Sequence, residues 1–294
     1  MHHSMRVRRR LGAVIGAAAA LSLALSACGS DTEKTEAKSV VDKAKETKKL
    51  TIGIKFDQPA LGLKKPDGTF EGFDVDVAKY IAQQLGVPES GITFKETTSA
   101  NRESFLGGGQ VDLVVATYSI TEARKQQVTF GGPYYVAHQD TMVRADDNSI
   151  KKAQDLKGKK LCKAAGSNSF RRVTEGPPDG KLAISGVTLV DASSYSECVA
   201  KLKAGALDAV STDDLILAGF ASQQKGSFKV INDPFTDEKY GVGIKKGDTK
   251  TCEAVNQAIQ KMYSDGTAKT LLEKHFSGTG LKFATTAPQM EGCA

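Results

Sequence analysis

Four positions recur at one constant offset along this chain: Leu106, Gly109, Asp112 and Val114 are matched by Leu202, Gly205, Asp208 and Val210. A pattern repeated at fixed spacing marks one supersecondary block built twice, each copy needing an apolar face to bury. Here each copy reads as a helix end, a glycine turn and a short apolar strand, so a chain of two similar α/β lobes is expected. Between the copies, Gly131 to Arg144 is aromatic and β-branched and suits a connecting strand, and Asn232 to Gly243 makes the return. Two crossings insert the second lobe in the first. Lobe one is then residues 50–138 plus 236–294, and lobe two is 139–235.

The elements around the first copy are explicit. Leu50, Ile52 and Ile54 alternate as a first strand, and Asp67 with Gly68 has hairpin chemistry. Phe73, Val77, Ile81 and Leu85 recur every four residues up to Gly86 and Pro88, an amphipathic helix with its own stop. Ile92 to Glu96 is a second strand, and a short helix opens near Ser99, Asn101 and Arg102. Near the C-terminus, Val255, Ile259 and Met262, then Leu271, Leu272 and Phe276, form helical faces that pack back on lobe one.

Chemistry concentrates in Asp112 to Arg124, DLVVATYSITEAR. Leu113 to Val115 is a buried strand, Thr117, Ser119 and Thr121 place hydroxyls at its carboxyl end, and Thr121 with Glu122 starts a helix that carries Arg124. A guanidinium there can hold a carboxylate through two parallel hydrogen bonds. The repeat offset sets Asp213 opposite Thr117. Its carboxylate, or that of Asp214, could accept an ammonium; either could equally be a helix N-cap. Gly166 to Ser169, with Ser167 and Asn168 between, lies before a helical segment, where backbone amides make a seat for an anion.

The formal charge of +6 does not mark a nucleic-acid binder. Arg6, Arg8, Arg9 and Arg10 precede the apolar run Leu11 to Leu25, an export leader, and removing residues 1–27 leaves about +2 with no basic stripe. Residues 28–49 follow the leader, and Gly29 to Lys49, with almost nothing to bury, reads as a flexible tether. Past Cys28, the four cysteines Cys162, Cys198, Cys252 and Cys293 suit two disulfides with three connectivities in an exported protein. Zinc is a poor rival, because there is no CxxC and only His138 and His275 survive export.

The TYSIT turn with Arg124 resembles the segment by which amino-acid-binding proteins of ABC importers grip a ligand's α-carboxylate. The likeness continues through FDQPALG, DGTFEGFDVDVAKYIAQQLG, SANRESFL, FGGPYYVAHQD, LKGKKLC, STDDLILAGF and KYGVGIKKGD, over nearly all of Leu50 to Gly280, and is nearest to the glutamate-binding lipoproteins of that family. It implies a two-lobed, periplasmic-binding-protein-like fold of the Venus-flytrap kind, and a lipobox, LSAC, with Cys28 lipidated. Cys162 would pair with Cys198, within one lobe and at cysteine positions of those relatives, and Cys252 with Cys293. Arg124, Thr117 and Ser119 would take the α-carboxylate, Asp213 the ammonium, and the Ser167–Asn168–Ser169 loop a carboxylate on closure. Lys55 and Arg102 would select an acidic side chain, L-glutamate or L-aspartate, helped by the Tyr195 hydroxyl, because two further buried cations need a second anion. The partners implied are a membrane permease and its ATPase, for a monomer held by lipid at the outer face of the cytoplasmic membrane. No cofactor, metal or catalysis is expected; an exported small-carboxylate dehydratase or a sensor lipoprotein is the alternative.

Overall fold

The computed structural model describes residues 39–293; the leader, Cys28 and the start of the tether lie outside the described residues. The chain runs α1 (Val40–Thr47), β1 (Leu50–Ile54), then β2 (Asp57–Gln58), β3 (Gly62–Lys64) and β4 (Phe70–Glu71) in a small antiparallel sheet. The β3–β4 turn closes at Gly68, whose left-handed φ of 84° lets its amide donate to the Lys65 carbonyl. Next come α2 (Phe73–Gln84), β5 (Ile92–Glu96), α3 (Arg102–Gly107), β6 (Leu113–Val115), α4 (Glu122–Lys125) and the long β7 (Val128–Arg144). The second half is β8 (Lys160–Ala164), α5 (Ser169–Thr174), β9 (Thr188–Ala192), α6 (Tyr195–Lys203), β10 (Val210–Asp213), α7 (Asp214–Gln223) and β11 (Phe228–Val230). The return strand β12 (Thr236–Lys245) leads to α8 (Thr249–Ser264) and α9 (Thr267–Phe276).

The repeat is visible in the hydrogen bonds. β1 lies parallel between β5 and β6, while β8 lies parallel to β9 and bridges at Leu161 to Ala209, just before β10. Asp112 accepts the Thr51 amide at 2.8 Å and Asp208 accepts the Lys160 amide at 2.8 Å, so each copy uses the same aspartate to start the neighbouring strand. β7 and β12 pair antiparallel and cross between the halves; at Gln139, β7 meets both Thr236 of β12 and Asp213 of β10. That junction brings the two strand ends carrying polar residues to one place. The first lobe's core is aromatic: Phe73 packs on Tyr134, Tyr135 and Phe276.

The structure corrects two expectations. Val40–Thr47 is a docked helix rather than flexible tether: Ser39 caps it, Val41 and Ala44 are buried, the Val41 amide donates to the Thr251 hydroxyl of α8, and Lys43 pairs with Asp112 at 2.7 Å. Two apolar residues one turn apart suffice when a neighbouring helix supplies the other face, which composition averages away. The return strand starts at Thr236, not Asn232, because Asn232 takes a left-handed φ of 59° and Asp233 turns to accept the Ala153 amide.

Cys162 in β8 is bonded to Cys198 in α6, and Cys252 in α8 to Cys293. The first crosslink spans 36 residues of chain. A Cys162→Ala, Cys198→Ala variant is expected to lose about 4 kcal/mol of stability through release of unfolded-chain entropy, read as a lower urea midpoint with the folded spectrum retained.

Candidate functional site

After β6 the backbone turns at Thr117, which adopts a left-handed φ of 45° that a β-branched residue takes only when its surroundings enforce it. The enforcing group is Asp74, fully buried in the first turn of α2. Its carboxylate accepts the Thr117 amide and the Tyr134 hydroxyl, each at 2.8 Å, while the Thr117 hydroxyl donates to Gln58 at 3.2 Å. Burial pushes Asp74 up to about 7, opposed by those two donors. The turn then delivers Ser119, whose carbonyl accepts from the Arg124 guanidinium at 2.8 Å, and Thr121, whose hydroxyl caps α4 by accepting the Arg124 amide. Across the cleft the same guanidinium donates to the Gly166 carbonyl at 3.3 Å. Burial first, then the neighbouring Arg102, lowers the Arg124 pKa to about 10.

Arg102 opens α3, is 2% exposed, and stacks 3.8 Å from the Tyr118 ring centre. It donates at 3.4 Å to the Ala116 carbonyl, and its Nε has no hydrogen-bond partner. Glu103 lies 3.6 Å from Arg102 and 3.8 Å from Arg124, offsetting part of their charge, and accepts the Tyr118 hydroxyl at 2.6 Å. Lys55, at the end of β1, donates to the Ser99 hydroxyl at 2.6 Å; burial, then Arg102, brings its pKa down to about 7.

The second half contributes hydroxyls and one acid. The Tyr195 hydroxyl meets Ser167 and Ser169, and Ser169 also meets Thr212 at 3.1 Å. Gln139 of β7 donates to the Ser169 carbonyl at 2.9 Å and so ties this loop to the crossing strand. Asp213 accepts the Tyr240 hydroxyl at 2.7 Å; burial and then Glu238, itself paired with Arg172, push its pKa well up. Asp214 turns away, accepting the His138 and Leu215 amides.

The expected amide seat is corrected: the Ser167 amide already donates to the Ala164 carbonyl and the Ser169 amide to the Ser167 hydroxyl. The loop instead presents hydroxyls and the unpartnered side-chain nitrogen Nδ2 of Asn168.

Arg102, Thr117 and Ser119 from one side face Ser167, Asn168, Ser169, Tyr195 and Asp213 from the other around one nearly closed cavity of about 10 Å³, room for about one water, so an amino acid enters only as the two sides part. Arg124 lines the wider mouth that meets this cavity at Ser99, Ser167 and Asn168. Lys55 stands one hydrogen bond behind the lining, through Ser99. Ser99 and Ile216 line the cavity without having been expected: a serine before a helix reads as a cap, and an isoleucine in an apolar helix reads as core. Asp74, Gln58 and Tyr240 support the site from remote parts of the sequence, and no local signal marks them.

Two α/β lobes on two crossing strands, with cations from one lobe facing an acid and hydroxyls from the other, define a clamshell receptor for a small zwitterion. Over residues 50–278 the chain matches the bacterial extracellular solute-binding proteins, family 3, and it belongs to that family. It is similar to the glutamate-binding protein GluB of Corynebacterium glutamicum, with 39% identity covering 92% of this chain and 91% of that protein. The ABC transporter glutamine-binding protein GlnH of Bacillus subtilis is 36% identical, over 85% and 91%. Among solved structures, an ancestral arginine-binding protein bound to arginine superposes with a TM-score of 0.70 at 35% identity, covering 78% of this chain and 98% of that one. This is therefore an amino-acid-binding protein of an ABC importer, working with a permease and an ATPase, and its near relatives are transport proteins rather than enzymes. No helix among the described residues is long and apolar enough to cross a membrane.

Proposed function

We propose that the amino acid is acidic, L-glutamate before L-aspartate, and that lipid on Cys28 anchors the protein at the outer face of the cytoplasmic membrane. One observation carries the specificity: three buried cations, Lys55, Arg102 and Arg124, gather at a cleft where, among the described residues, Asp213 is the one acid lining the inner cavity and the partly exposed Glu103 is the acid nearest the two guanidiniums. A zwitterion satisfies Asp213 with its ammonium and Arg124, Thr117 and Ser119 with its α-carboxylate. That leaves the Arg102 Nε and Lys55, which a second carboxylate meets, with the Ser167–Ser169 hydroxyls and Tyr195 donating from the other lobe. The likeness to GluB supports the same ligand. The proposed lobe boundaries, 138/139 and 235/236, are supported by the pairing at Gln139, where β7 ends its ladder with β12 at Thr236 and begins one with β10 on its other edge at Asp213.

Calorimetric titration with L-glutamate, L-aspartate, L-glutamine and L-arginine tests the reading. Glutamate is expected to bind tightest, and Arg102→Ala to erase most of its advantage over glutamine. Preference of the unaltered protein for glutamine or arginine would overturn the acidic assignment. For the anchor, Cys28→Ala is expected to move the protein from the membrane fraction to the medium.

A further inference from the structure

Two residues of the first lobe, Asp57 and Pro59, lie against the second without lining the cavity, and Gln58 stands between them. Asp57 accepts the Ser196 hydroxyl at 2.6 Å, at the start of α6. Gln58 holds the Thr117 hydroxyl of the site. The Pro59 carbonyl approaches α7 so closely that a Cβ on Gly219 would lie 2.1 Å from its oxygen and 3.7 Å from the Ala60 side chain. Gly219 sits inside the helix, in the apolar run LILAGFAS, where alanine is the better helix former and glycine the looser one. What glycine supplies there is room for a backbone atom from the opposite lobe. At α6, a carboxylate against the first turn of a helix is favoured by its free amides as well as by the serine hydroxyl.

We propose that Asp57 and Pro59 of lobe one, with Ser196 and Gly219 of lobe two, form a closure latch: positioning residues that set the affinity for the amino acid without touching it. Contacts made only in the closed form add to its population, and apparent affinity scales with the fraction of protein in the competent form. Gln58, between the two latch residues, bonds the Thr117 hydroxyl within the first lobe, so the latch stands beside the turn that carries the first-lobe donors. The latch rests on the reading of the cleft as an amino-acid site that closes about β7 and β12.

Calorimetry and thermal melting of unaltered protein, Gly219→Ala and Asp57→Ala, with L-glutamate and L-glutamine as probes, separate a latch from ordinary packing. Gly219→Ala is expected to raise Kd at least tenfold while the ligand-free melting temperature stays level or rises, because alanine favours the helix and clashes only on closure. Asp57→Ala is expected to raise Kd several-fold with the ligand-free melting temperature unchanged. Unchanged affinity in Gly219→Ala, or a ligand-free melting temperature that falls along with it, overturns the latch. In a third arm, an Asp57→Cys, Ser196→Cys variant, oxidised after folding, is expected to crosslink faster in the presence of the bound amino acid and to become more compact in small-angle scattering. If the unaltered protein takes glutamine and not glutamate, the acidic assignment falls and the latch is read with glutamine. If it takes neither, the site reading falls, and a crosslinked form no more compact than the reduced one overturns the latch as well.

Discussion

Arg124→Ala is expected to raise the dissociation constant for L-glutamate by roughly 30-fold to several-thousand-fold, with no loss of ligand-free stability. The guanidinium is 8% exposed and held by the Ser119 carbonyl, so it meets a carboxylate already desolvated and oriented. Truncating one partner of a buried, hydrogen-bonded ion pair costs about 2–5 kcal/mol, or roughly 30- to several-thousand-fold in affinity. Arg124→Lys keeps the charge but not the two-pronged fork, so its loss should fall between. Stability should move the other way. Arg124 is buried beside Arg102, and that repulsion contributes to its lowered pKa, so removing it relieves a cost carried by the ligand-free fold. Calorimetry with parallel thermal melts checks both halves. Unchanged affinity would remove Arg124 from the site, and a fall in melting temperature matching the affinity loss would reduce it to a structural residue.

What could be read in the sequence was chemistry that neighbours in the chain supply to one another. The strand, turn and capped helix from Leu113 to Arg124 form as expected because apolar run, hydroxyls and guanidinium are consecutive and each has one local use. Asp213 was separable from Asp214 through the repeat and the family resemblance together, and the structure gives the two carboxylates different partners, the Tyr240 hydroxyl and the His138 amide. Features that depend on distant partners were not legible. Asp74 looks like a polar residue at the start of an amphipathic helix until the left-handed Thr117 turn rests on it. Similarly, α1 owes its existence to a face of α8 two hundred residues away, which local composition cannot record. The Ser167 and Ser169 amides, free in a helix-start reading, are consumed by the loop's own geometry, a detail fixed by backbone angles rather than residue types.

Lys55 makes the acidic-ligand assignment testable through protons. Its pKa falls from 10.5 to about 7, chiefly through burial and then through Arg102, so at pH 8 the ligand-free protein holds it mostly neutral. A ligand carboxylate on the far side of Ser99 favours the ammonium form and draws the proton back. Glutamate binding at pH 8 is therefore expected to take up about one proton, and its affinity to fall with rising pH above 7, by up to about tenfold per unit. Below pH 7 the uptake disappears, because Lys55 is already charged. Glutamine, with a neutral side-chain amide, should show little uptake, and Lys55→Met should abolish it for glutamate. The stability of the ligand-free fold carries matching signs. Above pH 7 and toward 10.5 the unfolded chain keeps a proton on Lys55 that the folded chain has released, so stability rises with pH. Asp74, pushed from 3.8 up to about 7, acts oppositely: the folded chain holds its proton longer, and stability falls as pH rises from about 4 to 7. Together the two groups contribute least to stability near pH 7. Titrations in buffers of different ionisation enthalpy measure the uptake directly. Zero uptake with glutamate at pH 8, or the same uptake in Lys55→Met, would disconnect Lys55 from the ligand's side chain.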